Sequence, residues 1–306
     1  MLVLVRRTVL CGLVLSLSVP AQAEVRLQQK YAEGSTIQLE AEVETEQVLT
    51  IAGMDLNSGA TTTSETKIDV GQRRPDGSLE LTQKVTQLHA DSAYPGGVSL
   101  SFDSEDPDKQ ADLPQLEMIL DLYRAIIDMT TTRVVDKDNK TQSVSTSLAT
   151  QDLNELFQDQ FDPTNLKMNA VQEESRLPSD PVDIGDVWMR TEIFLTGGSG
   201  SLTFRREYEY KGTVERDGKT LDHIVGTAKS VTLEQPANPA VPLQIANSDL
   251  TIESGTTEIL FDRDSGTVVS TSDSFRVTGA LDVTINGMNL EGALDLTINQ
   301  TSVVKP

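Results

Sequence analysis

The chain has 306 residues, and its 47 Asp and Glu outnumber its 25 Lys and Arg, which gives a formal net charge of -22. Charge of this sign repels nucleic-acid phosphates and anionic lipid headgroups, so it argues against nucleic-acid binding and against charge-driven membrane binding. Only 4% of the residues are aromatic, which is thin for a surface that stacks bases or sugars. The length suffices for one large domain or two ordinary ones.

Residues 1–23 have the features of a secretory signal peptide. Arg6 and Arg7 form a positively charged start, an apolar run follows over residues 8–19, and residues 21–23 (Ala-Gln-Ala) supply a small-residue cleavage site. The run is shorter than the roughly 20 apolar residues of a membrane-spanning helix. The sequence therefore predicts an exported protein, periplasmic or extracellular, with no membrane span in its mature chain.

Cys11 is the only cysteine, and it lies inside the predicted leader. A lipidated cysteine would follow a small residue, whereas Leu10 precedes this one, so lipidation is not expected. Cleavage after Ala23 would leave a mature chain without cysteine. Disulfides, cysteine nucleophiles and cysteine-ligated zinc are then excluded.

Residues 24–145 read as a β-rich half. Thr36–Val43 alternates polar and apolar residues, the pattern of a half-buried antiparallel strand. Its apolar face comprises Ile37, Leu39, Ala41 and Val43. Glycine-containing turns then separate further runs of this kind, as at Asp76-Gly77 and Pro95-Gly96-Gly97.

Residues 113–129 are predicted to form an amphipathic helix within this half. Apolar residues recur three and four apart, with Asp112 as N-cap and Pro114 in the first turn. We expect Ile119, Tyr123 and Ile126 to be buried against a sheet that curves around this helix.

Residues 146–180 read as a shorter helix and a linker, and residues 181–306 as a second β-rich half. Apolar residues suggest the helix; they are Leu153, Leu156, Phe157 and Phe161. It should end by Pro163, with a loop over residues 162–180.

The two halves show a weak internal repeat. The turn at Gly34 resembles the one at Gly185, and Asp136-Lys-Asp138-Asn139 resembles Asp262-Arg-Asp264-Ser-Gly266. The fold class is therefore mainly β (β-rich α+β), with two related antiparallel curved-sheet halves packing on one amphipathic helix plus a shorter second helix. Near the end, residues 279–285 and 292–298 look like the paired arms of a hairpin around Asn286-Gly287.

These motifs are similar to those of a domain-of-unknown-function family of exported bacterial proteins. The matching residues are Gly34, the hairpin at 136–139, Pro181 to Trp188 and Phe261 to Gly266. Asn139-Lys140 departs from the expected Asp-Gly. The resemblance covers most of the mature chain and implies fold and export; it brings no activity.

Few residues suggest chemistry. His89 and His223 are the only histidines, and nothing in their spacing places them together for a catalytic or two-histidine metal site. The two aspartate hairpins resemble the start of a calcium loop, but neither carries the bidentate Glu twelve positions from its start, so we interpret them as turns. A weak calcium site is the alternative.

Other patterns read as structural. The acidic run over residues 103–112 is typical of a solvated loop, and Gly197-Gly198-Ser199-Gly200 lacks the Lys-Ser/Thr of a phosphate-binding loop. Trp188, the only tryptophan, reads as a core residue. The sequence thus predicts no catalytic residue, no cofactor-binding residue and no metal ligand.

The functional expectation is a non-enzymatic protein of the cell envelope. The first hypothesis is a binding module for a hydrophobic ligand such as a lipid, by analogy of fold with half-barrel lipoprotein carriers. The second is a protein-interaction module of an envelope assembly, and an acid–base hydrolase is a third. An apolar cavity would favour the first, a bare apolar surface patch the second, and a cleft of converging carboxylates the third.

Export should remove residues 1–23. N-terminal sequencing of the protein isolated from the envelope or medium is expected to begin at Glu24. A sequence that begins at Cys11, or anywhere before Glu24, would contradict this.

Overall fold

The computed structural model describes residues 24–149, 151, 153–197, 200–236, 243–285 and 287–305. The predicted leader therefore lies outside the described residues. The strands are β1 (Thr36–Ile51), β2 (Met54–Val70), β3 (Leu79–Tyr94), β4 (Val98–Asp103), β5 (Thr130–Val135), β6 (Thr141–Thr146), β7 (Val187–Gly197), β8 (Gly200–Arg216), β9 (Lys219–Glu234), β10 (Leu243–Asp262), β11 (Thr267–Ile285) and β12 (Met288–Val304). The helices are α1 (Glu117–Asp128), α2 (Glu155–Phe161) and α3 (Pro163–Ser175).

All the strands belong to one antiparallel sheet, which confirms the mainly β prediction. The order across it is β6-β5-β3-β2-β1-β12-β11-β10-β9-β8-β7, and β4 pairs with the far end of β3. The first and last strands pair along their length, from Leu39 opposite Val304 to Ile51 opposite Gly292. The two β-rich halves therefore meet in the middle of a single sheet.

The internal repeat corresponds to equivalent turns in two five-strand meanders. Gly34 and Gly185 precede β1 and β7, and the two aspartate hairpins join β5 to β6 and β10 to β11. Both glycines have positive φ, and their N–H groups donate to the neighbouring strand, at Val70 O (3.0 Å) and Tyr210 O (2.8 Å). The left-handed conformation favours glycine because it has no Cβ.

The sheet curls until strands distant in its order touch. Phe204 of β8 and Phe275 of β11 have ring centroids 4.8 Å apart, although β9 and β10 lie between their strands. Aliphatic residues from β1, β9 and β12 complete this cluster. The regular alternation along these long strands directs one face of each into the interior.

Helix α1 covers only one end of the first half. It packs on β3 and β4, where Leu120 is 1% exposed, whereas Ile119, Tyr123 and Ile126 are half-buried in the same cluster. The helix starts at Glu117 after a 3-10 turn, so the predicted Asp112 cap is wrong. Pro114 occupies the first position of that turn, where its missing N–H is tolerated.

The predicted loop over residues 162–180 is wrong, because α3 occupies most of it. Asp162 caps this helix by accepting a hydrogen bond from Thr164 N at 2.8 Å. The apolar residues of α3 do not recur on one face, so the usual periodicity signal is absent. Helix α2 was predicted, and it ends before Pro163 as expected.

Helix α3 connects the two edges of the sheet. At one edge Glu174 accepts hydrogen bonds from Thr141 N (3.0 Å) and Thr141 Oγ1 (2.5 Å) of β6. At the other, Gln172 accepts from Ile193 N at 2.6 Å and donates to Ile193 O at 3.2 Å. Two side chains of one helix thus satisfy backbone groups on both edge strands.

Truncation of Leu120 tests whether α1 contributes to the core. Leu120→Ala should lower the free energy of unfolding by about 2–4 kcal/mol, because it leaves a cavity in a packed cluster. Leu113→Ala, at a site that is 41% exposed, is the control and should cost less than about 0.5 kcal/mol. Equal losses in urea unfolding would contradict the packing described here.

Candidate functional site

A cavity of about 350 Å³ lies between the curved sheet and α3. Its apolar wall comes from strands on both sides of the β1–β12 junction and includes Ile37, Leu39, Ala41, Ile68, Leu81, Val268, Val269 and Val304. Its polar lining includes Gln29, Tyr31, Gln83, Arg133, Glu173, Arg176, Asp273 and Gln300. The cavity therefore has an aliphatic wall and a charged wall.

The aliphatic wall follows from the alternation recognised in β1. Ile37, Leu39 and Ala41 are half-buried and face the cavity, whereas the residues between them are exposed on the outer surface. Helix α1 leaves this stretch uncovered, because it packs on β3 and β4 instead. The cavity therefore lies beneath α3, on a part of the sheet that α1 does not fill.

The charged wall is formed by the C-terminal half of α3 and the strands facing it. Arg133 of β5 donates a hydrogen bond to Glu174, and its guanidinium lies 6.0 Å from the ring centroid of Tyr31. Burial raises the pKa of Tyr31 to about 12, which keeps its hydroxyl protonated at neutral pH.

A buried network of four charges continues this wall into the core. Arg176 donates to Asp273 Oδ2 (2.9 Å) and to Glu192 Oε2 (3.0 Å), and Arg206 donates to Asp273 Oδ1 (2.8 Å). Glu192 and Arg206 are each 1% exposed. Two guanidinium groups thus share two carboxylates, a pairing that offsets part of the cost of removing them from water.

Aromatic rings surround Arg206. Its guanidinium carbon lies 5.3–5.9 Å from the ring centroids of Phe194, Phe204 and Phe275. These rings shield the Nε and Nη2 atoms of Arg206, which have no hydrogen-bond partner among the described residues. The contacts are cation–π interactions that partly replace hydration.

Tyr208 connects the network to Trp188. The Tyr208 hydroxyl donates a hydrogen bond to Glu192, and its ring stacks on Trp188 with centroids 6.0 Å apart. Gly226 also lies against the Tyr208 ring, where a Cβ on residue 226 would come within 2.7 Å of a ring atom. Burial raises the pKa of Tyr208. Trp188 is half-buried against the core and donates to Arg176 O at 3.0 Å, so it has the structural role that the sequence predicted.

Glu173 differs from its charged neighbours because none of the described residues donates a hydrogen bond to it. Its side chain is exposed, and it borders both the cavity and an adjoining cleft. Desolvation by the surrounding protein raises the pKa of this carboxyl, and Arg176 and Arg133 partly oppose the shift. Glu173 is thus a carboxyl group that faces the cavity without a direct partner.

The adjoining cleft of about 360 Å³ shares Glu173, Arg176 and Gln300 with the cavity. Side-chain amides dominate its polar lining; they are Gln160, Asn169, Gln172 and Gln300. The shared residues make the two spaces neighbours on either side of α3.

The two aspartate hairpins lie away from the charged wall and hold the N-terminal segment. Lys30 N donates to Gly266 O at 2.8 Å, and Asn139 Nδ2 donates to Gln29 O at 3.1 Å. In each hairpin the first aspartate accepts two backbone N–H bonds from the following residues, at 2.8–3.2 Å. These bonds are those expected of aspartate turns.

The histidines do not come together. His89 of β3 is exposed and lies 2.9 Å from Asp91, whereas His223 is half-buried on β9, and five strands of the sheet order separate them. Among the described residues, no group of three or more His, Cys, Asp or Glu side chains is arranged to hold a metal ion. The acidic run over residues 103–112 is largely exposed, as expected of a solvated loop, and residues 198 and 199 lie outside the described part.

Sequence reasoning missed the charged network and α3. One feature of the sequence of β8 does indicate the network. Arg206 occupies an inward-facing position between Phe204 and Tyr208, and the other inward-facing side chains near it are apolar or aromatic. A charge at such a position requires a buried partner. The sequence alone does not identify the partner, because Asp273 lies far from Arg206 in the chain.

No family model matches the sequence, and no curated protein matches it. One solved structure that the chain matches is lipovitellin, reported in a study of its lipid–protein interactions. The two sequences are 10% identical and the TM-score is 0.46. The match covers 90% of this chain and 26% of the lipovitellin chain. Another is a DUF1329 family protein from Desulfovibrio piger (9% identity, TM-score 0.14, 84% and 83% of the chains). A third is the translocator domain of the autotransporter NalP from Neisseria meningitidis, with 10% identity and a TM-score of 0.11 over 89% of each chain.

The chain spans about a quarter of the length of lipovitellin. The resemblance to an uncharacterised family of exported bacterial proteins stays a prediction. Within the described part of the chain, none of the helices combines the length and the apolar character needed to cross a bilayer.

Removal of Arg206 should destabilise the protein strongly. Arg206→Met leaves Asp273 and Glu192 with one guanidinium between them, and we expect a loss of about 3–5 kcal/mol in the free energy of unfolding. Arg276→Met removes an exposed pair with Asp295 and should cost less than about 1 kcal/mol. Urea unfolding of both variants distinguishes a required network from a dispensable one.

Glu173→Gln should stabilise the protein by an amount that grows with pH. Because folding raises the pKa of Glu173, its ionisation opposes folding as pH rises above the unfolded-state pKa. At pH 3, where the carboxyl is protonated in both states, the variant and the native chain should be nearly equal. A constant difference between pH 3 and pH 7 in denaturant unfolding would show that Glu173 is fully hydrated.

Proposed function

We propose that the protein is an exported, non-catalytic binding module for a hydrophobic ligand such as a lipid. The observation that supports this is the cavity beneath α3, with its continuous aliphatic wall and a polar wall opposite. Its volume of about 350 Å³ lies within the range of small-molecule pockets. Its proposed place of action is the bacterial cell envelope, as the leader predicts.

The interior is divided between packed and open regions in a way that suits this role. Aromatic residues fill the region around Phe204 and Phe275, and α1 fills the end near Leu120. The stretch bordered by Leu39 and Ala41 is not filled by α1, and its side chains are only half-buried. Aliphatic surface that the chain itself leaves unfilled can be removed from water by an acyl chain.

A binding role without catalysis is favoured by the chemistry of the lining. None of the residues that border the cavity in the described part of the chain is a histidine, a cysteine or a lysine. The carboxylates of Glu174, Glu192 and Asp273 are all engaged by arginines. A hydrolase would need a general base or nucleophile free to act, and Glu173 alone does not supply a pair.

A protein-interaction role is a second candidate, because exposed apolar residues lie at the start of the edge strand β7 and just before it. Ile184, before the strand, is 52% exposed, and Val187 and Met189 of β7 are 57% and 40% exposed. Neighbouring apolar side chains at the edge of a sheet can form a contact with a partner protein. The cavity and this surface are separate, so the two roles can be tested by different variants.

Blocking the cavity tests the ligand-binding role. The neutral fluorophore N-phenyl-1-naphthylamine should bind the native protein, and Ala41→Trp should weaken binding at least tenfold by filling the aliphatic wall. Glu42→Trp places the same side chain on the exposed face of the same strand and should bind the fluorophore like the native protein. Fluorescence titration of the three proteins gives the result.

Absence of fluorophore binding to the native protein, or equal binding by both variants, would argue against a ligand cavity. Native mass spectrometry of protein purified from its own envelope then separates the two candidates. A co-purified small amphiphile supports the cavity, whereas a stoichiometric protein partner lost on Val187→Asp supports the surface of β7.

A further inference from the structure

The cavity and the amide-lined cleft meet at Glu173, so their chemistry bears on which part of a ligand each would hold. The cavity offers the aliphatic wall of β1, and the cleft offers the amides of Gln160, Asn169 and Gln172. An amphiphile would place its chain in the first space and its headgroup in the second, with the junction between them beside Glu173 and Gln300.

The charges around this junction do not cancel. Three guanidinium groups and four carboxylates form the wall: Arg133, Arg176 and Arg206, with Glu173, Glu174, Glu192 and Asp273. Every carboxylate except Glu173 has an arginine partner at hydrogen-bonding distance. The excess of one negative charge therefore belongs to Glu173, the carboxylate that faces the open space.

The arginines of this wall are already paired with carboxylates. The side chains of Arg133 and Arg176 are 18% and 15% exposed, but Arg133 pairs with Glu174. Arg176 pairs with Glu192 and Asp273, and Arg206 is buried. An anion at the junction would have to compete with these carboxylates and would lie beside the unpaired Glu173. A cation would complete the pairing that the other carboxylates already have.

We propose, building on the ligand-binding role above, that the bound amphiphile has a cationic headgroup able to donate hydrogen bonds, such as an amine, which pairs with Glu173. Neutral hydrogen-bonding headgroups bind less tightly, and carboxylate or phosphate headgroups are disfavoured. Burial raises the pKa of Glu173, and an ammonium group beside it would lower that pKa again. Affinity for an amine should accordingly fall as pH is lowered and the carboxyl becomes protonated.

Three probes with one chain and different headgroups test this: dodecylamine, 1-dodecanol and dodecanoate, each below its critical micelle concentration at pH 7. Displacement of the bound fluorophore from the native mature chain should rank them in that order, with at least a tenfold difference between amine and dodecanoate. Ala41→Trp should weaken all three, which separates binding in the cavity from adsorption to the acidic surface.

Glu173→Gln should reduce the advantage of dodecylamine over dodecanol at least fivefold and leave dodecanol binding unchanged. Glu46→Gln, which removes an exposed carboxylate from the outer face of β1, should keep the full advantage. Fluorophore affinity like that of the native chain, together with a thermal unfolding temperature no lower than the native one, shows that the fold is intact in both variants.

The outcomes separate the two proposals. If neither the fluorophore nor any probe binds, the ligand-binding role fails. If the probes bind but dodecanoate equals or exceeds dodecylamine, or if Glu173→Gln leaves the ratio unchanged, the cavity role stands and the headgroup assignment is overturned.

Discussion

The attachment of α3 to both edges of the sheet is the contact on which the rest of the interior depends. A curved sheet with two free edges presents unpaired backbone groups, and Gln172 and Glu174 satisfy some of these at Ile193 and Thr141. Because both side chains belong to one helix, the edges are held near each other across α3. The aliphatic face of β1 is thereby enclosed without being filled.

This arrangement buries charged groups, and the free-energy cost of removing them from water must be offset by pairing. Helix α3 and the residue that follows it bring Glu173, Glu174 and Arg176 close to the interior, where isolated charges would be strongly destabilising. Arg133 offsets Glu174, and the pairs with Glu192 and Asp273 offset Arg176. The helix is thus attached by ionic and amide contacts more than by apolar packing, which fits its lack of an apolar face.

The sequence predicted what local periodicity controls. The alternation in β1, the glycine turns and the spacing in α1 all arise within short stretches, and the structure has them at those positions. It did not predict α3, whose polar composition suits a helix that binds through charged side chains. Periodicity also cannot show that α1 packs on β3 and β4 and leaves the inner face of β1 unfilled. Partners such as Arg206 and Asp273 are set only by the curvature of the whole sheet.

The pairing of β1 with β12 has a consequence for how the chain acquires its structure. Leu39 lies opposite Val304, so the centre of the sheet joins segments from opposite ends of the sequence. Such non-local pairing must pay the entropy of closing a very long loop, and it slows folding relative to local contacts. Until β12 has emerged, β1 and β11 each lack a neighbour, and the cavity has only part of its wall. The centre of the sheet therefore cannot form until the residues of β12 are available to pair with β1.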